Sequence, residues 1–206
     1  MKIVVSATST GDIEATRDVA DIVELRLDLF ESLPSVEEVQ RVEKPSIITI
    51  RRKKEGGAFE GDEEQRLELF NRFCGAGRYA GLIDVEYDSD ERFFDLPGKI
   101  IESYHNFEET PSYQFLKDLV ENRRGQIFKI ACLGRSKQDV LNVVNILANY
   151  DNVVAFLMGE DFAFTRIMAA FMGSPFIYCH SGNAVAKGQI EAHQAYEAIK
   201  ILRGEK

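Results

Sequence analysis

Short apolar runs alternate with longer polar segments along the whole chain. The runs fall at residues 2–7, 22–28, 46–51, 81–86, 99–105, 126–131, 152–158 and 175–179, and most are rich in Val, Ile and Phe. Runs of this length and composition predict strands buried on both faces. The segments 62–74, 112–122, 136–150 and 189–202 carry helical spacing; in the third, Val140, Leu141, Val144, Ile146, Leu147 and Ala148 form a broad apolar stripe. Breakers stand at the expected places, with Pro34 and Ser35 before one helix, Gly125 after another and Gly204 near the end. The segments after the first and seventh strands are weaker helices, and 88–95 is a poor one. Eight strands alternating with about eight helices predict a parallel sheet with helical crossovers. Such a sheet closes as a (β/α)8 TIM barrel or stays open and doubly wound. Eight repeats favour the barrel, as one domain over residues 1–206, close to the minimum of about 200 residues for that fold. No G-x-G-x-x-G follows the first strand, where a dinucleotide site would put it.

Composition narrows the class. The 206 residues are 45% hydrophobic and 29% charged, ordinary for a globular chain. Twenty-five Lys and Arg against 34 Asp and Glu leave a net charge of −9, which disfavours nucleic acid and anionic membranes as partners. No run approaches the roughly 18 apolar residues of a membrane span, and the polar turn at Ser6 argues against a signal peptide. The three cysteines (Cys74, Cys132, Cys179) form no C-x-x-C, so neither a disulfide framework nor a zinc knuckle is expected. His180 and His193 have no nearby Cys or His partner, so no metal site is expected either. A cytoplasmic protein is the expectation.

Strands buried on both faces should be apolar throughout, and several here are not. Glu24, Arg26 and Asp28 share one face of the second strand by period-two alternation, and Asp84 and Glu86 share a face of the fourth. Arg51 ends the third, His105 the fifth, and Lys129 lies within the sixth. These charges gather toward the C-terminal halves of their strands, where barrel enzymes build their sites. Unpaired burial would cost several kcal/mol for each, so they form either a structural salt-bridge layer or a site. A lysine flanked by Phe128 and Ile130 either pairs with a carboxylate or is driven toward its neutral form by desolvation and cationic neighbours. In the second state it can attack a ketone to form a Schiff base. His105 lies on the adjacent strand, as the natural base for a C–H acidified by an iminium. Glu55 is either the carboxylate that orients this imidazole or an ordinary loop acid. Arg26, Arg51 and Arg166 offer guanidinium forks to a carboxylate, or pair with Glu24 or Glu86. The loop 181–189 carries two glycines and suits a lid over the barrel mouth.

Glu24-Leu25-Arg26-Leu27-Asp28, Thr49-Ile50-Arg51 with Lys54-Glu55-Gly56-Gly57, Asp84-Val85-Glu86, Ser103-Tyr104-His105-Asn106-Phe107 and Phe128-Lys129-Ile130-Ala131 together resemble the type I 3-dehydroquinate dehydratases, the Schiff-base dehydroquinases of the shikimate pathway. Met158-Gly159, Thr165-Arg166, Gly173-Ser174-Pro175-Phe176 and Gly188-Gln189 continue the likeness over nearly the whole chain. The resemblance implies a (β/α)8 barrel that converts 3-dehydroquinate to 3-dehydroshikimate and water without a cofactor. It implies Lys129 as the imine-forming residue, His105 as base and then acid, and Glu55 as its orienting partner. Arg166 would clamp the substrate carboxylate, while Glu24, Arg26, Arg51 and Gln189 would hold hydroxyls or the lysine network. The lid departs from the family: Val185-Ala186-Lys187-Gly188-Gln189 stands where Ser-Ala-Pro-Gly-Gln is usual. The implied partner is the small-molecule substrate alone, with oligomeric state left open, a homodimer included. Two other readings compete: a class I aldolase acting on a sugar phosphate, disfavoured by Glu160 and Asp161 where phosphate would sit, and a non-enzymatic barrel that binds a carboxylate metabolite.

Overall fold

The computed structural model describes residues 1–15, 17–74 and 81–205. The elements run β1 (Lys2–Ala7), α1 (Thr10–Ala15), β2 (Ile22–Arg26), α2 (Val36–Gln40), β3 (Ser46–Thr49), α3 (Glu63–Cys74), β4 (Leu82–Glu86), β5 (Lys99–Asn106), α4 (Tyr113–Glu121), β6 (Ile127–Leu133), α5 (Lys137–Asn149), β7 (Val153–Met158), α6 (Phe164–Phe171), β8 (Phe176–His180), β9 (Ile190–Glu191) and α7 (Ala192–Arg203). All strand pairs are parallel, in the order β7-β6-β5-β4-β3-β2-β1-β8-β9. The expected (β/α)8 architecture is present as a curled sheet whose hydrogen bonding leaves a seam between β7 and β8. Side chains span the seam, with the Phe156 and Tyr178 rings 6.5 Å apart.

Period-two alternation explains the layers. Outward residues such as Ile83, Val85, Phe128, Ile130, Ile177 and Cys179 pack against the helices. Inward residues from all eight long strands, among them Val4, Ile22, Ile47, Leu82, Ile101, Ile127, Val154 and Phe176, form one apolar cluster at the N-terminal end of the lumen. The polar residues sit above that floor. Among the described residues no helix is long and apolar enough to cross a membrane.

Several boundaries differ from expectation. β2 stops at Arg26 and β3 at Thr49, because the chain turns into 3-10 helices at Leu27–Leu29 and Lys53–Glu55. After β4 a single 3-10 turn, Glu91–Phe93, replaces a helix; its buried Phe93 packs edge-on against Phe70 of α3 at 5.9 Å and so covers that strand. In α5 the buried face is Asn142, Val143, Ile146 and Leu147, while Leu141 and Ala148 are exposed. Asn142 is turned inward because its amide donates to Pro111 O at 3.1 Å. The predicted helix from Gln189 instead starts at Ala192, where Glu191 accepts from the backbone N–H of Gln194, and Gln189 stays in the loop ahead of β9.

Candidate active site

The mouth of the barrel holds a cavity lined by all eight residues singled out in the sequence: Glu24, Arg26, Arg51, Glu55, His105, Lys129, Arg166 and Gln189. Alternation on β6 points Phe128 and Ile130 at the helices and Lys129 into the lumen. Lys129 is buried and its ammonium is paired with Asp84. The other oxygen of that carboxylate takes Arg51 Nη2 at 2.5 Å and the Ser103 hydroxyl at 2.7 Å. Of the two states open to a lysine at this position, the structure thus shows the carboxylate-paired one. Arg51 reaches Glu86 at 3.2 Å, and Glu86 is held from behind by Arg66 of α3, which lies over the Phe93 ring. Lys129, Asp84, Arg51, Glu86 and Arg66 therefore form a chain of alternating charge. Burial pushes the Asp84 carboxyl up, but Arg51 and Lys129 outweigh it and hold the group well below the usual carboxylate range.

His105 and Lys129 come from neighbouring strands, with Ser103 opposite Lys129 in the parallel register. Burial, with the positive charges of Arg51 and Lys129 added, pushes His105 well below its ordinary pKa. The imidazole is therefore neutral and able to accept a proton. Its Nδ1 lies 3.2 Å from Glu55 Oε2, which leaves Nε2 for other work. Glu55 is placed by a loop folded back on its own start: Phe59 N–H donates to Arg51 O and Lys53 N–H to Phe59 O, both at 3.1 Å. Gly57 makes this return feasible, since a Cβ there would stand 2.1 Å from Arg51 O. Burial and the nearby Glu86 raise the Glu55 carboxyl to about 7.

Arg166 is delivered by α6. Thr165 pins that helix to β7 by accepting from Leu157 N–H at 3.0 Å and donating to Phe162 O at 2.7 Å. The Arg166 guanidinium stacks over Phe156 at 3.9 Å and donates through Nε to Gly188 O, while its Nη2 has no partner. Burial without a facing anion lowers its pKa to about 10. A buried, uncompensated guanidinium beside a cavity is a site for an anion. Gly188 (φ +71°) lies so close to Gly159 that a Cβ would meet Gly159 O at 2.3 Å, so only glycine seats the 181–189 loop there. Gln189 follows, donating to the Ser6 hydroxyl at 3.2 Å and to Cys179 O at 2.9 Å, and accepting from Val185 N–H.

Of the carboxylates offered for Arg26 in the sequence, Glu24 and Glu86, the structure pairs it with neither. Glu24 accepts from the Ser6 and Thr49 hydroxyls at 2.6 and 3.0 Å, and Arg26 forks onto Asp28 at 2.8 and 3.0 Å. Asp84, Ser103, Ser6 and Tyr178 are the members of the site that sequence reasoning left without a role. For Asp84 the signal was present in its alternation with Glu86; the hydroxyls give none. Among the described residues no cluster of three or more His, Cys, Asp or Glu is placed to hold a metal ion.

A family model described as type I 3-dehydroquinase matches residues 3–206. The chain is 48% identical over 202 residues to a 3-dehydroquinate dehydratase of Archaeoglobus fulgidus, covering 98% of this chain and all of that one. The solved 3-dehydroquinate dehydratase of Aquifex aeolicus superposes with a TM-score of 0.81 at 29% identity, covering 98% of each chain. That of Geobacillus kaustophilus gives a TM-score of 0.84 at 23% identity, over 98% of this chain and 91% of that one, a likeness of fold.

Proposed function

The chain belongs to the type I 3-dehydroquinase family, and on that premise we propose that it dehydrates 3-dehydroquinate to 3-dehydroshikimate through an imine on Lys129. Loss of water from a β-hydroxy ketone needs an electron sink, a base for the α-proton and an acid for the departing oxygen. The Lys129 ammonium sheds one proton and attacks the ketone carbon as the amine; that proton and a second from the nitrogen leave with the carbonyl oxygen as water, and an iminium remains. His105 takes the α-proton through Nε2, the electron pair moves into an enamine, and the imidazolium returns its proton to the β-hydroxyl as the C–O bond breaks. Water hydrolyses the conjugated iminium, freeing the enone and the amine. The sink is the iminium, so the chemistry requires no cofactor. One histidine serves both proton steps if they occur on one face of the ring.

The observation that carries this reading is the shared cavity: a buried lysine, a partly buried neutral histidine and a buried arginine whose Nη2 has no partner face the same space. Arg51 competes for Asp84 from the side opposite Lys129 and so weakens the hold of that carboxylate on the ammonium. The direct test is the absorbance rise of a conjugated enone on mixing the protein with 3-dehydroquinate. A flat trace with folded protein would remove the activity.

Arg166→Met is expected to raise KM by about 10- to 100-fold, the scale of a lost hydrogen bond to a charged group, with a smaller change in kcat. Its melting temperature should hold or rise, because the variant removes an uncompensated buried charge. An unchanged KM would remove Arg166 from the carboxylate site.

The pH profile carries a further expectation. Above about pH 7 Glu55 is ionised and accepts the Nδ1 proton of His105, keeping Nε2 free as the base; below it the carboxyl is protonated and this hold is lost. The value of kcat/KM should therefore fall as pH drops through about 7. Glu55→Gln should lower the plateau and flatten that limb. A limb that persists unchanged in the variant would assign it to another group.

A further inference from the structure

Among the described residues, Tyr178 is an aromatic of the lumen whose hydroxyl has no partner. It points inward from β8, opposite Val4 in the parallel register, and packs with Phe156 and Phe176. It is 4% exposed, and its hydroxyl is buried without a hydrogen-bond partner. For packing alone phenylalanine would serve better, since a buried phenol without a partner costs about 1–3 kcal/mol. The nearby acceptors are spoken for: Glu24 by Ser6 and Thr49, Asp84 by Arg51, Ser103 and Lys129. The ring face lies 4.7 Å from Lys129 Nζ, within range for a cation over an aromatic face.

We propose that Tyr178 is a catalytic residue of this site, its hydroxyl donating a hydrogen bond to a hydroxyl oxygen of the substrate ring and its ring face bearing the positive charge on Lys129. This rests on the imine reading and adds a substrate contact to it. The ring serves the ammonium of the resting protein and the iminium alike, because both place a cation at the same nitrogen. Burial, with Glu24 and Asp84 adding to it, drives the phenol pKa far up, so the hydroxyl keeps its proton and acts as a donor. The hydroxyl completes its hydrogen bonding only when a polyhydroxylated ligand fills the cavity, so a ligand lacking that oxygen leaves it unmet. Tyr178 thereby helps to select hydroxylated rings.

Three proteins separate the contributions: wild type, Tyr178→Phe and Tyr178→Leu, each assayed for turnover of 3-dehydroquinate and for borohydride trapping of Lys129. Phenylalanine keeps the ring and the shape. It should lower kcat/KM roughly ten-fold, mainly through KM, with an equal or higher melting temperature and full trapping at saturating substrate. Leucine removes the ring as well and should also slow trapping at saturation. A Tyr178→Phe protein with wild-type kcat/KM overturns the hydroxyl contact, and a Tyr178→Leu protein trapped at the wild-type rate overturns the role of the ring. Failure of the wild type itself to turn over or be trapped would instead sink the imine reading on which the proposal stands.

Discussion

Lys129→Met is expected to lower turnover of 3-dehydroquinate by more than about 10⁴-fold, beyond what a positioned proton carrier alone supplies. Without the amine no iminium forms, and the α-proton must be removed from an unactivated ketone while a poor leaving group departs. The fold should survive the change. Asp84 keeps Arg51 and Ser103, so its charge stays compensated, and methionine fills most of the lysine's volume on the apolar floor. Inactivity therefore reports chemistry when the variant melts cooperatively close to the wild type. A folded Lys129→Met protein that retains several per cent of wild-type kcat would exclude covalent catalysis at this position.

His105→Ala should separate the two halves of the reaction. The amine still meets the ketone, so the adduct forms, but both proton transfers lose their carrier and kcat should drop by about 10²–10⁴-fold. The stacked Phe107 ring, 6.3 Å away, stays to shape the gap, and added imidazole should restore part of the rate. Glu55 then loses its partner, so the limb near pH 7 should vanish from the residual activity. If His105→Ala turns over nearly as fast as the wild type, the base is another group.

The barrel was legible because its strands carry apolar residues on both faces, so each reads as a run whichever side it presents. The site was legible for the opposite reason. Charged residues recurring at every second position near strand ends have few places to go except the lumen, and Glu24, Arg26, Arg51, His105 and Lys129 reach one cavity; Glu55 and Arg166 join them from a loop and from α6, and Gln189 was indicated by the family resemblance alone. Pairing was harder to read. Alternation places Asp84 and Glu86 on one face but does not say whether Lys129 finds a carboxylate, which depends on the stagger of β4 against β6. Gln189 looked like the first turn of a helix because its neighbours have helical spacing; the capping side chain of Glu191 and the short β9 ladder set the true start. In α5 the stripe drawn through Leu141 and Ala148 missed the buried face, since a polar residue, Asn142, occupies it by bonding to a neighbouring loop. The seam between β7 and β8 is closed by side chains rather than by a ladder, and no periodicity encodes that.

The most direct test of the account is borohydride reduction of the wild-type protein in the presence of 3-dehydroquinate, followed by mass spectrometry of its peptides. The chain is expected to gain the mass of the reduced ligand at Lys129 and nowhere else, with parallel loss of activity. An intact, active protein that gains no mass, or gains it at another lysine, would contradict it.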